Sequence, residues 1–372
     1  MDEYVFDMAT IDPELGRYLG QFWVVVMLDT YTRTVLASFV SFEEPSYALT
    51  TLPTLRMCVR RWKRCPRCIL TDRGPGYKEG YAKAAVSMGV RPTWRPAGMA
   101  RGAAQVERSG GVTNQRIAAE LQGHTGLLAK YRRVSDTHDP AKLAVYFPAE
   151  LAAVLERYFY ETYDRLPHGG LNNRSPRDMR EMSLQRDGKR KHLEIEPDSV
   201  FEILSLPGPR GDGTAKVQEH DGVQHDGLYY WHGKFKESEF IGSRVQIRWD
   251  PCDITHVFAL VGGKWEECVC LMLRELCRLP RMELCLTSLM IRRDRKQYKR
   301  GAAESVAEIQ KLLNSVRKTD DQKQEVLRMR ESAKSMVLAL PPVYLSPEPD
   351  RATTEKRATP AGFPASYLEE KK

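Results

Sequence analysis

The chain has 372 residues, 42% of them hydrophobic and 28% charged, so two or three folded domains with apolar cores are expected. Lysine and arginine outnumber aspartate and glutamate by 57 to 49, and the formal net charge of +8 suits a polyanionic partner without requiring one. Eight cysteines in a chain of this length do not indicate a disulfide scaffold, and no stretch resembles a secretory signal. The longest apolar run, residues 22–28, is too short to cross a membrane. These features predict a water-soluble protein of the reducing cytoplasm.

Three predicted strands open the chain. Residues 22–28 are continuously apolar, which is typical of a strand that is covered on both faces. A polar turn at 29–33 joins this strand to the alternating residues 34–42, and this pattern predicts a hairpin. The first strand pattern begins at residue 1 without a preceding cap, so we expect a reading frame that is truncated on its N-terminal side.

The following elements alternate between helices and short strands. Apolar spacing predicts helices at 48–62, 77–88, 101–121 and 148–166 and strands at 68–72 and 90–94. The order β-β-β-α-β-α-β-α-α is typical of a mixed sheet with helices on its faces. We therefore predict an α/β domain of the ribonuclease H-like kind over residues 1–180.

The second half of the chain has a different pattern. Short strands separated by glycine turns recur between residues 200 and 269, which predicts a small all-β barrel over 190–272. Residues 273–372 are predicted to form a basic tail, with a charged helix from about 303 to 339 and a disordered end rich in proline and charge. The apolar spacing of this helix fits either docking of a partner or packing on its own domain.

Three carboxylates stand out by their positions. Asp2 lies on the first strand, Asp72 at the end of the fourth, and Glu107 near the start of a helix that follows a glycine-containing loop. In the predicted topology the first and fourth strands lie side by side. The two strand ends and the following helix would then converge on one point.

Other aspartates compete for the place on the first strand, because a single aspartate at a strand end is most often a turn or cap residue. Asp7 and Asp12 lie on or just after the same strand. Asp7 would point to the opposite face from Asp2, since their offset of five is odd. Asp29 fits better as the residue that forms the turn with Arg33.

Several segments recur, in this order and at similar spacing, in one known family. They are residues 1–7 and 22–33, the segment 70–75 with Arg73 in place of the usual Asn, residues 95–108 around Glu107, residues 163–176, and residues 221–223 and 242–251. Together they resemble the retroviral-integrase-like catalytic core and the C-terminal β-barrel of Mu-type DDE transposases. Two positions depart from the pattern: Gly110 and Gly111 weaken a helix, and Asn114 stands where the family often carries a basic DNA-contacting residue.

The resemblance implies a metal-dependent DNA strand transfer. Asp2, Asp72 and Glu107 would be catalytic residues that bind two Mg²⁺ ions, with Mn²⁺ as an alternative. Bound cations would also remove the repulsion between clustered carboxylates. Water would first cut the 3′ end of the transposon, and the freed 3′ hydroxyl would then attack target DNA.

The resemblance also implies partners. These would be DNA at the transposon ends and at the target, other copies of the chain assembled on DNA, and an AAA+ ATPase bound by the tail, all at the nucleoid. Phosphate contacts are predicted for Arg108, Arg116, Lys189, Arg190 and Lys191. The alternative is that such charge runs form a solvated face.

Three other interpretations stay open. Cys65 and Cys68 have the spacing of half a zinc site, with Cys58 as a third candidate, but Cys68 begins a predicted strand and a structural role is favoured. The chain could be a truncated, inactive remnant that only binds DNA or a partner ATPase. It could also be a ribonuclease H-like nuclease that cleaves without joining.

Overall fold

The computed structural model describes most of the chain as two compact units. The described residues are 1–72, 74, 77, 79–95, 104–125, 140–209, 211–298 and 320–343. The first unit comprises Met1–Pro197 and Val316–Ala339, and the second comprises Asp198–Ser315 and Leu340–Lys372. Within the described ranges, every helix is too short or too polar to span a membrane.

The first unit opens with a three-stranded antiparallel sheet. Its strands are β1 (Asp2–Ile11), β2 (Tyr18–Leu28) and β3 (Val35–Ser41), hydrogen-bonded in the order β1-β2-β3. The buried apolar run of β2 confirms the predicted strand. Asp29 accepts hydrogen bonds from the backbone N–H groups of Tyr31 and Thr32, both at 2.8 Å, which is the predicted turn role.

A second, parallel pair of strands follows. Helix α1 (Leu52–Trp62) leads to β4 (Cys68–Thr71), and α2 (Glu79–Ser87) connects β4 to β5 (Arg91–Trp94). Among the described residues, β4 and β5 form a sheet separate from β1-β2-β3, which corrects the expected single mixed sheet. A hydrogen bond of 2.9 Å from the Met1 amine to the Leu70 carbonyl joins the two sheets.

Helix α3 (Ala104–Arg116) lies against β1, and its glycine permits this close approach. A Cβ atom on Gly110 would lie 2.9 Å from the Tyr4 ring. Within the described residues, the helix predicted at 101–121 ends at Arg116, and the glycine pair does not interrupt it. Gly110 thus allows α3 to pack closely on β1, although a glycine lowers the intrinsic helix propensity of this segment.

Three further helices follow along the first unit. They are α4 (Pro140–Leu143), α5 (Pro148–Arg157) and α6 (Pro176–Asp187). Leu151, Leu155 and Phe159 pack with Phe6 and Phe22 of the three-stranded sheet. The predicted helix at 148–166 ends early as an α-helix, because the chain continues in a π-helical turn and then a 3₁₀ turn.

The second unit begins with α7 (Ser199–Leu204) and contains a curled antiparallel sheet. Its strands are β6 (Thr214–Gln218), β7 (Gly222–His225), β8 (Leu228–Tyr230), β9 (Arg244–Asp250), β10 (Asp253–Val261) and β11 (Lys264–Val269). The strand order is β11-β10-β9-β6-β7-β8. Trp231 and Val269 exchange backbone hydrogen bonds of 3.0 Å, so the chain after β8 meets the far edge strand. The predicted barrel is thus observed as a six-stranded half-barrel.

A buried ion-pair network fixes helix α8 (Arg281–Tyr298) to the half-barrel. The Arg281 Nη2 atom lies 2.7 Å from Asp250 Oδ2, and its Nη1 atom lies 3.7 Å from Asp253 Oδ2. His256 Nδ1 lies 3.3 Å from the same Asp253 oxygen. Because both aspartates are fully shielded from water, they need these partners to remain charged.

Helix α9 (Asp320–Ala339) returns to the first unit from the end of the chain. Ser332 Oγ accepts a hydrogen bond of 3.0 Å from Phe42 N, and Gln324 Nε2 donates to the Tyr18 carbonyl at 2.6 Å. The described part of the predicted tail helix therefore packs on its own chain. Residues 303–319 and the proline-rich end from 344 lie outside the described residues.

We predict that Gly222→Ala destabilises the half-barrel severely. Gly222 has a φ of +74°, and a Cβ atom there would overlap the carbonyl oxygen of Tyr230 on the paired strand. We expect a loss of about 3 kcal/mol or more in the free energy of unfolding, measured by chemical denaturation. Gly211→Ala is the control, because φ there is +84° and no atom of the described residues, apart from those of its chain neighbours, lies within 4 Å of an added Cβ atom. It should cost about 1 kcal/mol, and equal losses in both variants would contradict the overlap.

Candidate active site

Asp2 and Asp72 come together where the two sheets of the first unit meet. Asp2 is the first residue of β1, and Asp72 directly follows β4. The hydrogen bond from the Met1 amine to the Leu70 carbonyl brings these two chain segments side by side. Burial raises the pKa of Asp2, and the nearby Asp72 charge adds to that shift. Two of the three predicted acids are therefore near neighbours.

A protein cation already pairs with Asp2. Arg95 Nη2 lies 3.4 Å from Asp2 Oδ2, and only 14% of each side chain is exposed. The backbone N–H of Arg95 donates to the Thr71 carbonyl at 2.9 Å, which holds it at the same sheet edge as Asp72. The arginine lowers the pKa of Asp2 against the raising effect of burial. Arg95 was not among the predicted site residues, although its place directly after a parallel strand is a usable signal.

Glu3 is a further carboxylate at this edge. The Tyr77 hydroxyl donates a short hydrogen bond to Glu3 Oε2. Burial raises the pKa of Glu3 to about 7, the charges of Asp2 and Asp72 act in the same direction, and the Tyr77 hydrogen bond opposes them. Glu3 was not predicted as a site residue, because side chains alternate along a strand and Glu3 would then point to the opposite face from its neighbour Asp2.

Gly74 lies close to the carboxylates of Asp72 and Glu3. Its backbone N–H donates to Asp72 Oδ1 at 2.6 Å. A Cβ atom on Gly74 would lie 2.9 Å from Asp72 Oδ1 and 3.4 Å from Glu3 Oε1. A side chain at this position would displace these carboxylates from the positions they hold, so glycine leaves room for them.

Glu107 lies on α3, but its side chain is outside the described residues. The helix runs along β1: Gly110 meets Tyr4, and Asn114 Nδ2 donates to the Val5 carbonyl at 3.2 Å. The turn that carries Glu107 precedes both contacts and therefore extends toward the start of β1. Convergence of the Glu107 carboxylate with Asp2 and Asp72 stays a prediction. Asn114 binds the backbone of β1 in the described fold.

The rival aspartates on and after β1 have local partners. Asp7 Oδ1 accepts a hydrogen bond of 3.3 Å from Gln21 Nε2. Asp12 Oδ1 accepts from the backbone N–H groups of Glu14 and Leu15, at 3.0 and 2.7 Å. These contacts are those of a strand neighbour and a turn cap, as expected for aspartates outside a catalytic site.

The acids at this edge supply oxygen ligands of the kind that a hard divalent cation binds. The described part of the chain does not contain a complete set of such ligands. The carboxylate oxygens of Asp2 and Asp72 are ligands that Mg²⁺ prefers. Within the described ranges, no group of three or more His, Cys, Asp and Glu side chains could hold a metal ion. The Arg95 guanidinium already pairs with Asp2, so a metal ion bound there would share or displace this protein cation.

The cysteines of the predicted half zinc site have other contacts. Cys65 is buried, and its Sγ atom lies 3.7 Å from the Met88 carbonyl. Cys68 Sγ lies 3.1 Å from Thr93 Oγ1 on the neighbouring strand. These contacts lie within the fold, and the structural role that the sequence favoured for both cysteines stays a prediction.

The predicted phosphate-contacting side chains are exposed. Arg108 and Arg116 lie on α3; burial raises the pKa of Tyr158, and the nearby Arg116 charge opposes that shift. Burial lowers the pKa of His168, and the charges of Arg33 and Arg108 lower it further, so basic groups gather beside α3. Lys189, Arg190 and Lys191 are exposed after α6.

Two protein families match segments of the chain. The TnsB C-terminal domain matches residues 1–123, and the C-terminal domain of Mu transposase matches residues 203–270. The chain is also 23% identical over 267 residues to a transposase for transposon Tn552 from Staphylococcus aureus. These matches support a transposase family for the chain. The Tn552 match covers 69% of this chain and 50% of the relative, so the chain spans about half the length of that transposase.

One solved structure is distantly similar. It is the simian T-cell lymphotropic virus intasome in complex with the PP2A regulatory subunit B56 gamma, at 13% identity over 72% of this chain and 77% of that chain. The TM-score of this similarity is 0.29. The transposase assignment therefore depends on the sequence matches, which together include β1, β4, α3 and most of the half-barrel.

We predict that Glu3→Gln stabilises the protein in a pH-dependent way when a chelator is present. The folded-state pKa of Glu3 is raised to about 7 from an ordinary 4.5, so between these values the folded state holds a proton that the unfolded chain has released. Wild-type stability should therefore fall, relative to the variant, as pH rises through this window. Thermal unfolding midpoints at pH 4.5, 6 and 8 test this. A difference that does not change with pH would contradict the assigned shift.

Proposed function

We propose that the chain is a DDE-type DNA transposase that cleaves transposon 3′ ends and transfers them to target DNA. The proposal includes a ribonuclease H-like core over residues 1–180 and a Mu-type barrel over 190–272. Its main support is the proximity of Asp2 and Asp72, which are distant in sequence, within a segment that matches a transposase family. A carboxylate pair of this kind suits a polynucleotidyl transferase.

Asp2, Asp72 and Glu107 would hold two Mg²⁺ ions, or Mn²⁺ in their place. When bound, such ions activate the attacking oxygen and stabilise the leaving oxygen of an in-line displacement at phosphorus. Gly74 orients the Asp72 carboxylate through its backbone N–H, and Tyr77 fixes Glu3 beside it. These contacts hold the acids in place before substrate arrives, which reduces the reorganisation that the reaction needs.

The partners are proposed on the same basis. Transposon ends and target DNA would be the substrates, with Arg108 and Arg116 as phosphate contacts beside the acids. Other copies of the chain would assemble on DNA at the nucleoid. Binding of an AAA+ ATPase by the tail rests on the family resemblance alone.

A second candidate is an inactive remnant that acts only by binding DNA or a partner ATPase. The ion pair between Arg95 and Asp2 favours it, because a protein cation then neutralises one candidate metal ligand. This candidate predicts DNA binding without cleavage under any divalent cation.

We expect Asp72→Asn to abolish both cleavage and joining while leaving DNA binding intact. The substitution keeps the shape of the side chain and removes the charge that would bind the cation, and a loss of about 10³-fold or more is expected. Labelled oligonucleotides with a plasmid target and Mg²⁺ would measure cleavage and joining, and a gel shift with chelator would measure binding. Asp29→Asn is the matched control, because that carboxylate caps a turn.

The outcomes separate the candidates. Undiminished cleavage by Asp72→Asn would exclude the metal assignment. A wild-type chain that binds DNA but never cuts it would favour the remnant. Cleavage without joining would favour a nuclease.

A further inference from the structure

Exposed cations gather at the end of β4 opposite to Asp72. Lys63 follows α1, Arg67 directly precedes β4, and both side chains are exposed. Arg91 begins the parallel strand β5, is also exposed, and its backbone N–H donates to the Arg67 carbonyl at 3.0 Å. The starts of both parallel strands therefore carry positive charge.

Hydrogen bonds connect the segment after α6 to the chain between α1 and β4. The backbone N–H of Ile195 donates to the Lys63 carbonyl at 3.0 Å, and that of Cys65 donates to the Leu193 carbonyl at 2.9 Å. Arg64 Nη2 also lies 3.3 Å from the Arg190 carbonyl. These bonds join two basic runs that are more than a hundred residues apart in the sequence. We call the resulting surface the basic face: Lys63, Arg67, Arg91, Lys189, Arg190 and Lys191.

Nearby acids reduce the charge of the basic face only in part. Glu194 and Glu196 are exposed beside it. Lys63 Nζ lies 3.8 Å from Glu196 Oε2, with 55% and 84% of the two side chains exposed. Ion pairs this open to water contribute little and exchange readily, so they leave the lysine available to another anion.

The basic face and the acidic edge lie at opposite ends of one strand. β4 has four residues, and at roughly 3.3 Å per residue it spans about 13 Å. One phosphate group beside Asp72 therefore cannot also contact the basic face.

We propose that the basic face binds the phosphate backbone of duplex DNA as a second contact, separate from the acidic edge. The inference rests on the proposed function only in taking DNA as the partner. Several lysines and arginines along one surface match the regular charge of a duplex, and phosphate contacts position a protein without reading sequence. The contact would hold DNA outside the reacting segment.

The test compares two variants with equal loss of charge. Lys189→Gln with Lys191→Gln removes two cations from the basic face, and Arg157→Gln with Arg165→Gln removes two exposed cations elsewhere on the first unit. Fluorescence anisotropy would measure the affinity for a random-sequence 30-base-pair duplex across a salt series. Thermal unfolding would check that both variants fold.

We expect the basic-face variant to bind about 10-fold more weakly at low salt, with a log–log salt slope shallower by about 1.8, and the control to match wild type. Equal behaviour of the two variants would overturn the proposal. So would a basic-face variant that loses binding to polyglutamate but keeps its affinity for DNA, because the surface would then serve an acidic protein segment.

Failure of the proposed function gives a different result. A wild-type chain without cleavage activity, whose basic-face variant still loses affinity and salt slope, would remove the transposase chemistry and retain the second contact. An Asp72→Asn variant with unchanged affinity supports the separation of the two sites, and a 10-fold loss of affinity in that variant would overturn it.

Discussion

Repulsion between like charges constrains the edge where β1 meets β4. Asp2 and Asp72 lie close together in a partly buried place, where the cost of charge is higher than in water. The fold offsets that cost with a guanidinium on Asp2, a backbone donor on Asp72, and a raised pKa that lets Glu3 keep a proton near neutral pH. Any bound divalent cation would have to compete with this internal compensation.

Close backbone approach is another requirement of that edge. Gly74 allows two carboxylates to meet over the turn, and Gly110 allows α3 to lie on the Tyr4 ring. In the sequence, Gly74 has the pattern of an ordinary turn residue, whereas Gly110 has that of a helix defect. Both are explained by what a Cβ atom would touch, which depends on contacts between distant segments.

Local patterns predicted a large part of this architecture, because β2, the turn at Asp29 and the short strand before Asp72 have signals contained within a few residues. The sheet division, the role of Asn114 and the place of Arg95 depend on pairing between distant segments, which periodicity does not encode. Glu3 was missed for a related reason. Alternation describes a regular strand, whereas Glu3 reaches its neighbours with a long side chain that Tyr77 holds.

The first unit is built from both ends of the chain, and this has a consequence for its synthesis. Helix α9 contacts the backbone at Phe42 and Tyr18, yet more than a hundred residues of the second unit are translated before it. The face of the first unit that α9 covers therefore stays exposed while the half-barrel is being synthesised. Nascent chains would spend that interval with this face of the first unit exposed to solvent.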